Sequence, residues 1–326
     1  MRRWTILCAV ATATACSHGP FLVVDVVPAG GAPLPAIAQL KTTLAWQAMR
    51  AQLGVPATPR AQPIALPATF SLELPAGASG AAIVSVEGDD RGGKGLAWGS
   101  ALVTVSGALT RVTVPIGAGG VCPSDVILCD GFETGTFDPA LSPATYGPFA
   151  LTADTVRPHR GSRSAHVHDA TGDNGRADLA ETKSFAPPNA STFYRSYLWL
   201  TALPTNDDLR LEGTPDHVNL YLESGQLVLH DYAQGIATMS YPTTTIPLQQ
   251  WICVELEIDT APPARRVWLN DVELTEMRQT APSAGLPIDN EFDWSIADYN
   301  IPAVAQPFDV FIDDVIVDNK PIGCAR

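Results

Sequence analysis

Residues 217–232 read His217-Val-Asn-Leu-Tyr-Leu-Glu-Ser-Gly-Gln-Leu-Val-Leu-His-Asp-Tyr232. Val218, Leu220 and Leu222 alternate with His217, Asn219, Tyr221 and Glu223, and Leu227 and Leu229 alternate with His230 and Tyr232. Successive strand residues point to opposite faces, so the leucines belong to a core and the polar set to the other face. Ser224-Gly225-Gln226 separates the runs as a hairpin-like turn, which lays the two polar sets side by side. This period of two recurs along the chain, and no sustained 3.6-residue period competes with it. The fold class expected is all-β.

Two more runs obey the rule. Arg195, Tyr197 and Trp199 share one parity in Phe193–Leu200, and Glu255, Glu257 and Asp259 share one opposite Val254, Leu256 and Ile258. Earlier in the chain, Phe21–Val27 reads as a buried strand, while Phe70, Leu72, Leu74 and Val112, Val114, Ile116 alternate with polar residues. Leu102–Ile116 reads as a hairpin turning near Ser106-Gly107, and Pro56–Pro67 as a long loop. Leu40, Thr42, Leu44 and Trp46 alternate too, although the Ala and Gln around them also allow a helix. About seven strands in roughly 100 residues suit an immunoglobulin-like or transthyretin-like sandwich. Gly88, Gly93 and Lys94 have the spacing of a phosphate loop, but Gly95 replaces the magnesium-binding Ser/Thr, so a hairpin turn is expected there.

At 326 residues the chain exceeds one ordinary core, and about 150 residues per domain predicts two. Gly117–Gly120 is the expected linker: 16–119 forms a β-sandwich spacer and 120–326 a second β-domain. The net charge of −14 is unevenly placed. Residues 20–119 carry six Lys/Arg against five Asp/Glu, whereas residues 120–326 carry twelve against twenty-nine, a balance of −17. No cluster of Lys/Arg offers a nucleic-acid face, so no nucleic-acid partner is expected.

Met1-Arg2-Arg3 precedes a short apolar stretch, Trp4–Ala15. Twelve residues reach about 18 Å, short of a hydrocarbon core of about 30 Å, so 1–15 reads as a signal peptide. Ala13-Thr14-Ala15-Cys16 resembles the lipobox of bacterial lipoproteins, with Ala13 where that family usually has Leu. The resemblance implies lipidation at Cys16 and a membrane partner through the anchor, at the outer membrane or cell surface. Ordinary secretion with cleavage near Ala15 is the alternative. Export leaves Cys122, Cys129, Cys253 and Cys324, which read as two disulfides. The favoured pairing is Cys122–Cys129 with Cys253–Cys324, worth about 2.5 and about 4.4 kcal/mol by loop entropy. A Cys129–Cys324 pairing stays open.

Four stretches in chain order resemble the concanavalin-A-like lectin/glucanase (LamG-like) jelly roll: Cys129-Asp-Gly-Phe-Glu-Thr-Gly135, Gly161-Ser-Arg-Ser-Ala-His-Val167, the pair Trp251–Ile258 and Val267–Asp271, and Asp309–Val317. The resemblance implies two stacked antiparallel sheets, one with a concave face that receives glycans. The glycan-binding set read from parity is Arg195, Tyr197, His217, Asn219, Tyr221, His230 and Tyr232, since aromatic rings beside hydrogen-bonding groups suit sugars. First and last strands usually neighbour each other in jelly rolls, which brings Asp130 and Glu133 toward Asp313 and Asp314 as a structural Ca2+ site. No organic cofactor is expected.

The function expected is a non-catalytic glycan-binding lipoprotein of the cell envelope. One alternative is a polysaccharide-cleaving enzyme on the same face. As a lyase it would use Arg195, Tyr197, His217, His230 and Tyr232, without the characteristic lyase strand motifs. As a glycosidase it would use Glu255, Glu257 and Asp259, which resemble the carboxylate strand of laminarinase-type enzymes in a different order. The other alternative is a structural envelope protein without sugar binding.

Overall fold

The computed structural model describes residues 19–29, 34–46, 49–93, 95–118, 122, 126–171, 174–181, 191–203, 209–214, 218–223, 225–232, 238–240, 244–260, 262–280, 291–298 and 307–324. Among them no helix is long and apolar enough to cross a membrane. The chain divides into two compact units, Met1–Pro123 with Ala325–Arg326, and Ser124–Cys324. Cys16 and His217 lie outside the described residues.

The first unit contains β1 (Phe21–Pro28), β2 (Gln39–Trp46), β3 (Met49–Val55), β4 (Ala68–Glu73), β5 (Gly80–Asp89), β6 (Gly95–Val105) and β7 (Leu109–Ile116). Its sheets run β4-β1-β7 and β3-β2-β5-β6. Leu22, Val24, Phe70, Val112 and Val114 from one sheet share a buried cluster with Leu40, Leu44, Val84 and Val86 from the other. Leu40–Trp46 is strand rather than helix, paired with both β3 and β5. The Gly88–Gly95 segment is a hairpin turn, with Asp89 facing Gly95 and Asp90 Oδ1 accepting the Gly92 amide at 2.7 Å. The expected Leu102–Ile116 hairpin needs correction. The chain does turn at Gly107, whose φ of +70° suits glycine. However, β6 pairs with β5 in one sheet, and β7 pairs in parallel with β1 in the other. The turn therefore crosses between sheets, which alternation alone does not encode.

The second unit opens with β8 (Leu128–Asp130), β9 (Leu141–Tyr146), β10 (Phe149–Asp154), β11 (Ser164–Asp169) and β12 (Gly175–Glu181). It continues through β13 (Thr192–Leu200), β14 (Leu209–Gly213), β15 (Val218–Glu223), β16 (Gln226–Asp231) and β17 (Thr238–Ser240). It closes with β18 (Ile252–Thr260), β19 (Pro263–Leu269), β20 (Val272–Glu273), β21 (Gln279–Thr280), β22 (Phe292–Asp298) and β23 (Phe308–Asp318). A nine-stranded sheet runs β10-β11-β23-β13-β18-β19-β20, with β8 on β23 and β21 on β19. A seven-stranded sheet runs β17-β16-β15-β14-β22-β12-β9. Leu198, Val254, Leu256, Val310 and Ile312 of the first pack with Leu209, Leu220, Leu229, Trp294 and Ile296 of the second in one core. The unit is an antiparallel, jelly-roll-like β-sandwich. First and last strands are neighbours, as Cys129 faces Ile316. Asn270 and Asp271, with φ of +48° and +67°, form the tight turn from β19 to β20.

Cys253 and Cys324 are bridged, with Cα atoms 5.7 Å apart. Cys122 and Cys129 are also disulfide-bonded. The Cys129–Cys324 alternative is thereby excluded.

Candidate functional site

The β15–β16 hairpin builds the middle of the candidate site. Val218, Leu220, Leu222, Leu227 and Leu229 enter the core. The opposite parity turns Asn219, Tyr221, Glu223 and His230 to the outer face of the seven-stranded sheet, with Asn219 directly across from His230. His230 contacts Tyr232 Oη through Nδ1 and Glu223 Oε1 through Nε2, both at 2.6 Å. Its ring lies 4.5 Å from that of Tyr221. The sequence-predicted residues Asn219, Tyr221, His230 and Tyr232 therefore do meet.

Two neighbouring strands extend the set with residues the sequence reading missed. Arg210 on β14 forms a fork with Asp293 on β22, donating from Nη2 to Oδ1 and from Nη1 to Oδ2 at 3.3 Å, while its Nε donates to Asn219 Oδ1 at 2.8 Å. Ser295 donates to Asp178 on β12, which also pairs with Arg176 at 2.9 Å. Two hydrogen-bonded groups thus lie side by side, Glu223, His230 and Tyr232 in one and Asn219, Arg210 and Asp293 in the other, with Asn219 and His230 opposite each other on paired strands. Although this face is turned from the core, Arg210 is only 5% exposed and His230 4%. Burial is the largest influence on Asp293 and pushes its carboxyl up to about 6, against the pull of Arg210. The alternation Phe292-Asp-Trp-Ser-Ile296 was the available signal for Asp293 and Ser295.

One residue breaks parity. The register shifts between Arg210 and Glu212, and the carboxylate of Glu212 accepts from Ser196 Oγ at 2.9 Å, on β13 of the opposing sheet. Glu212 is thus inside the sandwich, and its Oε1 has no hydrogen-bond partner. Burial raises its pKa to about 8, with the Ser196 bond opposing.

The remaining predicted residues go elsewhere. Arg195, Tyr197 and the Glu255–Asp259 row lie on the nine-stranded sheet, on the face turned from the core, so they cannot join the glycan set on the other sheet. Glu255 accepts the amides of Ile322 and Gly323, both at 2.9 Å, and Tyr197 donates its hydroxyl to the Cys324 carbonyl. These groups fasten the C-terminal segment. Arg195 is fully buried near Tyr197, Asp314 and Glu255, and desolvation lowers its pKa to about 10. Glu257 pairs with Arg266 at 3.2 Å, and burial lifts its pKa to about 7. Asp259 accepts a hydrogen bond from Ser191.

The four acids expected to hold calcium lie near the β8–β23 pair, each with contacts of its own. Asp130 accepts the amides of Phe132 and Asp138, at 2.7 and 2.8 Å. Glu133 accepts from Ser162 and Arg163. Asp313 accepts the His159 and Arg160 amides, and Asp314 meets His159 Nδ1 at 2.7 Å. Burial alone would raise Asp314, but Arg160 and His159 outweigh it and hold its pKa down at about 2. These carboxylates cap loops and pair with basic side chains.

No family model matches the chain, and no curated protein matches it. Among solved structures it is similar to a cellulose-induced protein, Cip1, at 16% identity and a TM-score of 0.48, covering 60% of this chain and 99% of that one. It is also similar to an endo-β-1,4-glucuronan lyase from the fungus Trichoderma reesei, at 10% identity and a TM-score of 0.49, covering 60% and 96%. A botulinum neurotoxin type C structure described by its interaction with two ganglioside molecules gives 10% identity, a TM-score of 0.41 and coverage of 56% and 44%. Likeness at this level carries no functional argument.

Proposed function

We propose that the outer face of the seven-stranded sheet binds carbohydrate without cleaving it. The observation that carries this reading is the row of fixed polar groups in which His230 meets Tyr232 and Glu223, the Tyr221 ring lies against it, and Asn219, opposite it on the paired strand, accepts from an Arg210 forked on Asp293. Sugars present apolar C–H faces, which stack on rings, and hydroxyls, which need donors and acceptors held in place. Second contacts fix this row: Asp293 holds Arg210, and Glu223 holds His230. Because the two arginines of this face, Arg176 and Arg210, are matched by Asp178 and Asp293, a neutral glycan is favoured over a polyanion.

The His230–Tyr232 contact supports a second reading, a polysaccharide lyase. There a base would take the proton α to a uronate carboxyl, while the bond to the leaving glycosidic oxygen breaks and a ring double bond forms. A glycan array followed by product analysis separates the readings. Binding without new chain ends, weakened about tenfold or more by Tyr221→Ala, supports binding alone. Unsaturated uronate products that vanish in Tyr232→Phe would replace it with the lyase. No binding to any glycan would leave only a structural role. Export and lipidation of Cys16 belong to the same proposal, and an intact mass with unmodified Cys16 would remove the anchor.

A further inference from the structure

A different surface of the jelly roll holds chemistry that the glycan reading does not use. His166 and His168 stand two residues apart on β11, flanked by the core residues Ala165 and Val167, so both imidazoles leave the core on the same side. Asp309 on β23 faces His168 directly. His166 Nε2 lies 2.9 Å and His168 Nδ1 2.7 Å from the same oxygen, Asp309 Oδ1. Among the described residues this is the group of three whose ligand atoms all fall within 4.8 Å of one another.

We propose that His166, His168 and Asp309 form a binding site for a divalent cation of the zinc class. Zinc takes imidazole nitrogen and carboxylate oxygen at about 2.0–2.2 Å in a tetrahedron, which sets donors about 3.3 Å apart. The observed contacts need to open by only a few tenths of an ångström. Two imidazoles with one carboxylate suit zinc rather than calcium or magnesium, which take oxygen.

The surroundings prepare His166 as a ligand. Asp154 Oδ2, on β10, meets its Nδ1 at 2.6 Å, and Thr152 Oγ1 donates to that same oxygen at 3.3 Å. Phe311 stacks on the ring with centroids 4.2 Å apart. A neutral imidazole has a single N–H. When Asp154 accepts it, the Nε2 lone pair faces the Asp309 carboxylate, acceptor against acceptor, and a cation between them resolves the conflict. A carboxylate behind a ligating histidine fixes both its tautomer and its orientation. Entry is open, since the His168 side chain is 45% exposed and that of Asp309 31%. The three ligands leave the fourth position to water, and the ion would tie together strands about 140 residues apart in sequence.

The test is titration of the full chain, first stripped with a chelator, with Zn2+ in a calorimeter, followed by X-ray absorption on the loaded protein. One equivalent of Zn2+ bound by two imidazoles, undisturbed by excess Ca2+, is the expected result. Affinity should fall at least tenfold in His168→Ala and in Asp309→Asn, and about tenfold or more in Asp154→Asn. Unchanged circular dichroism in these variants would assign the loss to the ligands rather than to folding. An absence of binding, or undiminished affinity in the His166→Ala/His168→Ala double variant, would overturn the site and leave a plain imidazolium–carboxylate network. Equal competition by Ca2+ would overturn the assignment to the zinc class.

Discussion

On the seven-stranded sheet, Arg210, Asn219 and His230 meet side chains of neighbouring strands. On the nine-stranded sheet, Glu255, Tyr197 and Asp313 meet backbone groups of remote segments. Both faces present buried charges at the same alternating positions, so alternation states which way a side chain points but not what it meets there. Where the partners are amides of another segment, the polar residue holds the chain together. Where side chains on adjacent strands pair, a surface of fixed donors and acceptors results, which suits binding.

The largest expected effect tests the point where parity fails. The folded pKa of Glu212, about 8, lies above its ordinary 4.5, so folding favours the neutral acid. Its contribution is full below about 4.5 and is lost as pH rises through about 8, at about 1.4 kcal/mol per unit and on the order of 5 kcal/mol in all. Denaturant unfolding from pH 5 to 8 should show this fall, and Glu212→Gln should flatten it. If the two proteins keep the same pH slope, Glu212 faces outward and the bulge is wrong.

Next in size is the clamp over the nine-stranded sheet. Replacing Cys253 and Cys324 by serine should cost about 4 kcal/mol in unfolding free energy. Glu255→Ala strands the amides of Ile322 and Gly323, so a loss of about 3 kcal/mol is expected by the same measurement, with glycan affinity untouched. A change in glycan affinity with full stability would invert the assignment of the two faces. The smallest effect belongs to Tyr232→Phe, which removes the hydroxyl at His230 and should cost about 1 kcal/mol of stability or less, while glycan binding weakens. Equal glycan affinity in wild type and variant would take Tyr232 out of the site.

Much of the sandwich could be read from the chain. Val218–Glu223 and Gln226–Asp231 form the expected hairpin. The site was only half legible. Asn219, Tyr221, His230 and Tyr232 follow from local alternation. Arg210 and Asp293 join them only because β14 and β22 are neighbours, a pairing across 83 residues. Arg195 and Tyr197 have the parity expected of them but belong to the other sheet, because β13 lies between β23 and β18.

The sequence by itself determined the all-β class, which residues of most strands face the core, and the cysteine content that allows two disulfides. Those features rest on local period, composition and turn chemistry. Tertiary structure alone decided which strands are neighbours, that the turn at Gly107 crosses between sheets, that Glu212 turns inward, and that Asp309 meets His166 and His168. Each of these is a contact between distant segments, fixed by how two sheets close over one core, and no local pattern records it.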